Sequence, residues 1–514
     1  MLLNQFHDIL PGSSIPEVFV DANRDWAVVK QRGEQILQDS FKAIANQIDL
    51  PEPPEASAIA VIIFNPLNWP RSERVEIYPP DSPQPGCHWQ ILTLTGQPLS
   101  IQPAACHTLP PPSQISEPAT LLFLAENIPS IGYRIFWLTQ TPDANDSTAP
   151  ILHAAPNLTA AEADWILENN CLRVTVAPET GDLASVFDKS NQREVLSGPG
   201  NQLQAFQDQG QYWDAWNIAP DYTEHPLPPT QLKTIYWLEQ GPIRFRLRVV
   251  RQLGRSEFCQ DYILEADSPI LKIATTVDWQ ESQVLVKAAF PLTVQAEAAT
   301  YEIPYGAIAR STQPQTPQEK AKWEVSALRW ADLSQADYGV SLLNDCKYGY
   351  DSQPNQIRLT LLKAPLWPDP TADRGIHTFT YALYPHSGNW QAAETVRRGY
   401  ELNRPLQVWL RPNTAQKPRS TQNLLNPSAS FLNLGENSLI LSAFKQSETD
   451  PDQFVLRCYE SHGTTTQLTL QGSLNLQISD SVNLLEKPNQ EPLNLNDLQV
   501  QPWKIVSLAV CRNG

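Results

Sequence analysis

A histidine and an aspartate stand side by side near the start of the chain, where they could bind a metal or a substrate. His7 and Asp8 precede the turn residues Pro11 and Gly12 and then a helix start. A neutral imidazole is a good Zn²⁺ ligand, and an adjacent carboxylate can join the metal shell or bind a substrate hydroxyl. A zinc site needs three or four ligands, yet the chain has no H-x-x-x-H, H-x-H or C-x-x-C spacing. The remaining ligands of such a site would have to come from outside this segment. The alternative is that the pair has only a structural role and forms local hydrogen bonds ahead of the turn.

A second candidate is a short aromatic and acidic run. Tyr212, Trp213 and Asp214 are followed closely by Trp216, and further carboxylates flank them. Aromatic rings stack on the CH faces of sugars, and sugar hydroxyls need charged acceptors. The run therefore suits a sugar site, and it equally suits a loop whose aromatic side chains fill a domain interface.

Two histidines near the end of one predicted strand form the third candidate. His377 starts a strand over 377–384, and His386 lies just past its end. Both could act as metal ligands or as general bases, but we interpret them as packing or loop-pinning residues.

One strand pattern carries several arginines. Ile243, Phe245 and Leu247 alternate with arginines at 244, 246 and 248, which predicts a strand with one apolar and one cationic face. The cationic face could hold a substrate carboxylate, but we interpret it as a solvated outer face.

A long amphipathic helix follows the His7 segment. Ser14 and Glu17 form a capping-box pattern with Pro16 in the first turn, and apolar residues then recur at the helical period up to Ile48. Such a helix needs a partner to cover its apolar stripe. The natural partners would be helices upstream of Met1, so residues 1–50 are predicted to be a helical remnant of a larger domain.

After residue 54 the hydrophobic period changes from helical to alternating, which predicts strands bounded by Pro and Gly. We expect a mainly β protein in which the N-terminal helix is followed by β-sandwich domains. A small sandwich is expected over 55–140, a linker over 141–150, a large β domain over 160–415, and a C-terminal sandwich over 416–514. No sustained helical period is found beyond the first fifty residues.

Composition excludes some partners. The 514 residues carry a net charge of −18, which disfavours nucleic acid and anionic membrane surfaces. Seven scattered cysteines form no C-x-x-C pair and are predicted to be buried thiols in a reducing compartment. The chain shows no signal peptide and no apolar run of ~18 residues, so a cytoplasmic location is expected.

These segments together resemble glycoside hydrolase family 38 α-mannosidases, particularly their cytosolic-type and bacterial branch. The segment 4–15 is similar to the place where that family leaves its catalytic barrel for the middle helical domain. Further similar segments follow in the same order: 212–218, 303–308, 330–349, 377–388 and 400–406.

The resemblance implies a role for each candidate. His7 would be a Zn²⁺ ligand and Asp8 a substrate-binding neighbour, while Tyr212, Trp213 and Asp214 would face the active site from a galactose-mutarotase-like super-sandwich. In the family, a barrel aspartate attacks the anomeric carbon and a second carboxylate acts as acid and base, so configuration is retained. The barrel's H-x-D and D-x-F-G strings are absent from this sequence. We therefore expect no catalytic residue in this chain and a nucleophile upstream.

We therefore hypothesise that this chain is the part of a Zn²⁺-dependent α-mannosidase that follows the barrel, and that the enzyme acts on mannosides or oligomannose glycans. The barrel half would be supplied in cis or in trans, and the chain alone would be inactive. The alternatives are a non-catalytic carbohydrate-binding or structural module, and a self-sufficient sandwich enzyme that uses His377 and His386 as acid and base.

Overall fold

Strands dominate the chain, as the alternating sequence predicts. The computed structural model describes residues 1–105, 120–142, 165–210, 212–412, 424–489 and 498–512. The described residues within 1–40, 153–303 and 308–403 form one unit, and those within 41–152, 304–307 and 404–514 form the other. The predicted linker over 141–150 falls mostly on residues outside the described ranges, while 141 and 142 end a strand.

The predicted N-terminal helix is confirmed. It spans Pro16–Ala45 and follows a 3₁₀ turn at Leu3–Gln5. At its C-terminal end, Arg411 Nη1 donates to the carbonyl oxygens of Ala45 at 2.5 Å and Ile48 at 3.3 Å. A cation here satisfies carbonyls that lack helical partners and faces the negative end of the helix dipole. Several apolar side chains of the helix are exposed, namely Val20, Trp26, Val28, Ile36 and Leu37.

Three sheets build the first unit. The nine-stranded sheet has the order Gln231–Gln240, Arg244–Leu253, Ser256–Glu265, Leu271–Trp279, Gly375–Ser387, Tyr338–Asn344, Trp330–Ser334, Ala298–Ile303, Gly306–Ser311. The five-stranded sheet has the order Gln202–Gln207, Val284–Pro291, Gln356–Leu362, Gly349–Gln353, Val325–Ser326. The four-stranded sheet has the order Arg193–Glu194, Leu183–Asp188, Leu172–Val176, Ile166–Glu168.

One hydrophobic core joins these three sheets. Leu247 of the nine-stranded sheet, Val286 of the five-stranded sheet and Val174 of the four-stranded sheet belong to the same buried cluster. Large sheets that bury their inner faces against one another form a sandwich. The predicted super-sandwich is therefore confirmed, as is the hairpin that pairs Leu172–Val176 with Leu183–Asp188.

The solvated cationic face predicted for the strand Arg244–Leu253 is wrong. The side chains of Arg244, Arg246 and Arg248 are nearly inaccessible to solvent. Arg246 and Arg248 lie 2.5 and 2.7 Å from the carboxylate of Asp261, and Arg244 lies 2.6 Å from Glu239. The two acids come from the neighbouring strands, which the alternation within one strand cannot reveal. Charges that are withdrawn from water need such partners.

The unit also contains helices that the sequence analysis missed. A helix spans Thr395–Asn403, a single turn spans Pro317–Lys320, and a 3₁₀ turn spans Tyr222–Glu224. Each is too short to show a sustained period, which explains why the pattern gave no signal.

The second unit contains the predicted small sandwich strands and the C-terminal ones. A six-stranded sheet has the order Gln407–Pro412, Ile59–Asn65, Gly132–Pro142, Cys87–Leu92, Pro98–Leu99, and Ser428–Ser430 also pairs with Gly132–Pro142. A three-stranded sheet has the order Arg71–Ile77, Thr120–Ile128, Ile101–Ala104. A four-stranded sheet has the order Leu439–Gln446, Phe454–Glu460, Ile505–Arg512, Leu476–Ser481, and Thr466–Gln467 pairs with Gln499–Val500.

These sheets enclose separate cores. Val61 and Phe123 share one buried cluster between the six- and three-stranded sheets, and Leu456 and Leu508 belong to another in the C-terminal sheet. Among the described cysteines none forms a disulfide; Cys259 and Cys458 are buried, whereas others are partly or fully exposed. In the described part of the chain, no helix is both long and apolar enough to cross a bilayer.

Candidate functional site

The His7 ring stands out from the segment that precedes the long helix. Its side chain is 68% exposed, and Nε2 lies 3.4 Å from Asp8 Oδ2. Asp8 is held from the other side, because Ser13 Oγ donates to Oδ1 at 3.1 Å and the Ser13 amide donates to the Asp8 carbonyl at 3.2 Å. The buried amide of Asn4 donates to the carbonyl of Ala22 and ties this segment to the helix. The carboxylate is fixed while the imidazole faces solvent.

This pair fits one edge of a zinc shell. Ligands about 2.0–2.2 Å from a tetrahedral ion lie about 3.4 Å from each other, which matches the separation of His7 Nε2 and Asp8 Oδ2. Within the described residues, no three His, Cys, Asp or Glu side chains are grouped to hold a metal ion. The donors present are thus chemically suitable but too few for a complete site.

The aromatic run forms an exposed loop. Tyr212, Trp213 and Trp216 are 80%, 63% and 64% exposed, which is unusual for side chains that gain free energy from burial. Trp213 has a φ of +54°, a conformation that is unfavourable for a bulky residue and needs support from its surroundings. Its ring packs against Trp367, with centroids 5.1 Å apart.

Buried charges supply that support. Asp214 is only 6% exposed, and its Oδ2 accepts the Leu366 amide at 2.7 Å. The backbone adds a bond from the Ala215 amide to the Trp367 carbonyl at 3.2 Å. Lys363 Nζ lies 3.7 Å from Asp214 Oδ1 and also bonds to the buried carboxylate of Asp208. Two segments distant in sequence are thereby fastened together.

The fastened segments present a rigid aromatic surface with polar groups nearby. Such a surface can stack on the apolar face of a pyranose ring. Tyr212, Trp213 and Asp214 were recognisable as candidates from the sequence, whereas their partners Lys363 and Trp367 were not. The segment 363–368 contains a cation and an aromatic residue, but this pattern does not reveal that they contact a loop far away in the chain.

The two later histidines are both engaged within the protein. His386 is 5% exposed, and its Nε2 lies 2.9 Å from Asp332 Oδ2 and 3.1 Å from Ser341 Oγ. His377 Nε2 lies 2.6 Å from the carbonyl oxygen of Asp373, on the turn before its own strand. The interpretation of both as packing or loop-pinning residues agrees with this geometry.

Three family models match the chain in collinear order. Residues 1–44 match the alpha mannosidase middle domain. Residues 167–371 match the glycosyl hydrolases family 38 C-terminal domain, and residues 438–508 match the glycosyl hydrolases family 38 C-terminal beta sandwich domain.

Curated relatives match from two thirds of the chain to nearly all of it. Alpha-mannosidase 2C1 of Homo sapiens is 31% identical over 521 residues, which cover 99% of this chain and 44% of the relative. Alpha-mannosidase G of Dictyostelium discoideum is 31% identical over 366 residues, covering 68% of this chain and 33% of the relative. The chain therefore spans less than half the length of these relatives.

A solved structure shares the fold. The crystal structure of an alpha-mannosidase from Enterococcus faecalis superposes with a TM-score of 0.76 at 15% identity, covering 99% of this chain and 62% of that one. At this identity the likeness concerns the fold alone.

Proposed function

The chain belongs to glycosyl hydrolase family 38, and from this premise we propose that it forms the part of an α-mannosidase that follows the catalytic barrel. The proposed reaction is hydrolysis of terminal α-D-mannosyl residues of mannosides or oligomannose glycans with retention of configuration. The observation that carries this proposal is the collinear match to relatives named alpha-mannosidase over 99% of the chain.

In this proposal the chain supplies binding groups. Asp8, held by Ser13, accepts hydrogen bonds from substrate hydroxyls, and the exposed rings of Tyr212 and Trp213 pack against the sugar. Asp214 acts by fixing the loop, since its carboxylate is buried and bonded to Leu366. The nucleophile and the acid–base carboxylate belong to the barrel polypeptide, which is the proposed partner in cis or in trans.

His7 is the proposed zinc ligand of this chain. Its exposed ring is accessible to an ion whose other ligands come from the barrel, and the Asp8 carboxylate 3.4 Å away is the neighbouring substrate-binding group. When bound, Zn²⁺ would orient substrate hydroxyls and polarise them. One imidazole alone holds zinc weakly, so firm binding is expected only in the assembled enzyme.

The test is an assay of aryl α-mannoside hydrolysis by this chain alone and together with a polypeptide that carries a family 38 barrel. We expect no turnover from the chain alone and chelator-sensitive turnover from the pair. Replacing His7 with alanine should lower turnover by at least tenfold, since the loss of a metal ligand affects affinity at least as much as loss of its supporting groups.

His225→Ala is the matched control, because that ring is also exposed and also lies 3.4 Å from a carboxylate, that of Asp221. It should leave turnover unchanged. Robust hydrolysis by the chain alone, or an assembled pair that is insensitive to chelators, would overturn the proposal.

A non-catalytic carbohydrate-binding module is the second candidate, and the exposed Trp213 and Trp367 pair favours it. The two functions differ in their dependence on metal. Calorimetric binding of oligomannosides that persists with chelator and in His7→Ala, but is lost in Trp213→Ala, supports the module.

A further inference from the structure

A polar pocket in the C-terminal sandwich lies outside everything that the proposed function uses. It has a volume of about 460 Å³ and is lined by two short segments, 436–438 and 462–467. The side chains that matter for its chemistry are Glu436, Asn437, Ser438, His462, Thr464 and Gln467. Small-molecule sites are of this size.

The wall of this pocket is organised by a buried carboxylate. Glu460 is fully buried, and its oxygens accept the amides of His462 at 2.8 Å, Gly463 at 2.7 Å and Trp503 at 3.1 Å. The Thr464 hydroxyl adds a weaker bond at 3.3 Å. Charge-assisted bonds to several amides fix a loop firmly. The pocket wall is therefore preorganised.

Close packing fixes the same wall from outside. Gly463 has a φ of +76°, and a Cβ there would come within 3.0 Å of three atoms of the Trp503 ring. The indole thus lies directly over the backbone between two lining residues, and it remains 41% exposed. The packing of Trp503 against Gly463 therefore helps to fix the backbone between His462 and Thr464.

A row of hydroxyl groups runs along the pocket. Ser438 Oγ lies 2.8 Å from Thr466 Oγ1, which in turn lies 3.4 Å from Thr464 Oγ1. Each hydroxyl both donates and accepts, and Glu436 adds an acceptor while Gln467 adds both kinds of group. The lining therefore matches a ligand that carries several hydroxyls.

The few charged groups in the pocket lining do not suit an ionic ligand. Among the described residues the lining contains no Lys or Arg, so a phosphate or carboxylate would meet only the His462 imidazole and none of the permanent cations that usually bind such groups. It contains a single carboxylate, that of Glu436, whereas Ca²⁺ takes 6–8 oxygen ligands and usually several carboxylates. A neutral polyhydroxylated ligand is left as the best match.

We propose that this pocket is a second, non-catalytic binding site for a neutral hexose unit, such as the end of a glycan chain. The site goes beyond the proposed hydrolase function and is independent of it, because none of its residues belongs to the His7 or Trp213 regions. It would let the protein hold a glycan at a point separate from the bond that is cut.

The test is a ligand-observed saturation-transfer NMR titration of the full chain with methyl α-D-mannopyranoside and methyl α-D-glucopyranoside. The titration is run in the Trp213→Ala background, which weakens the proposed sugar-stacking surface of the aromatic loop. We expect saturable binding of at least one glycoside. Glu436→Ala and Gln467→Ala should each weaken it about tenfold, the effect of losing a hydrogen bond that involves a charged or well-placed group.

Asp452→Ala and Gln477→Ala are matched controls, since both side chains are exposed in the same unit, and they should leave binding unchanged. Circular dichroism checks that all variants are folded. Three outcomes overturn the proposal: no saturable binding of either glycoside, equal weakening by the controls, or binding of Ca²⁺ or inorganic phosphate in place of the sugars. Because the background lacks Trp213, failure here leaves the hydrolase proposal standing.

Discussion

Removing the Asp214 carboxylate tests whether this buried acid holds the aromatic loop in place. The Leu366 amide donates to it at 2.7 Å, and Lys363 lies 3.7 Å from its second oxygen. A hydrogen bond to a charged acceptor contributes about 1.5–3 kcal/mol, and alanine would also leave a part-buried amide without its partner. A loss of about 2 kcal/mol increases the local opening equilibrium about thirtyfold.

Asparagine at position 214 is the informative comparison. It keeps an oxygen that can accept the Leu366 amide, but it removes the charge that attracts Lys363. A neutral bond contributes about 0.5–1.5 kcal/mol, so Asp214→Asn should lose about 1 kcal/mol and increase opening about fivefold. The order wild type, asparagine, alanine is thus expected from the geometry.

Amide hydrogen exchange measured by mass spectrometry reports this opening directly. Peptides covering 212–218 and 364–368 should exchange faster in Asp214→Ala, and the two segments should change together because they are fastened to each other. Asp221→Ala is the control, since Asp221 lies close in sequence but is 56% exposed. If Asp214→Ala exchanges no faster than Asp221→Ala in both peptides, the anchoring argument is wrong.

Three further predictions concern stability; the first two are measured by urea unfolding and the third by amide hydrogen exchange. Asp261→Ala leaves two buried arginines without their carboxylate and should cost about 3–5 kcal/mol, whereas Asp21→Ala breaks an exposed pair of similar length and should cost less than about 1 kcal/mol. Burial raises the pKa of Tyr133 to about 12; the folded state therefore keeps its proton longer, and stability is lost as pH rises from 10 through 12. In Tyr133→Phe the free energy of unfolding should fall less steeply over this pH range, by up to about 1.4 kcal/mol per pH unit. Arg411→Met should speed amide exchange in the last turn of the helix Pro16–Ala45, because two carbonyls lose their cationic donor.

The sequence predicted those features that depend on local pattern. The helix Pro16–Ala45 follows from a long 3.6-residue period, and the hairpin around Gly181 follows from alternation on either side of a turn. The aromatic loop was also found locally, because three aromatic residues and an acid lie within a few positions. Local physical chemistry determines these elements, so a single segment carries enough information.

The partners of those elements could not be predicted, because they come from distant parts of the chain. Lys363 and Trp367 support a loop about 150 residues earlier, and Asp261 neutralises arginines on the strand before its own. The alternation of residues along one strand indicates which side chains share a face. Whether that face is exposed to solvent or buried depends on the neighbouring strands. For this reason the cationic face was assigned to solvent when it is in fact paired.

The aromatic loop and the C-terminal pocket share one structural feature, and this feature changes how their acidic residues should be interpreted. Asp214 and Glu460 are both buried acids beside segments that expose aromatic or polar side chains. Each accepts a hydrogen bond from at least one backbone amide, so each helps to shape the surface of its region. Glu436, by contrast, is the exposed acid of the pocket, and Asp8, in the segment before the long helix, is partly exposed. A carboxylate beside aromatic residues indicates a sugar site only once its burial is known, because the acid that builds the loop and the acid that binds the ligand are identical in sequence.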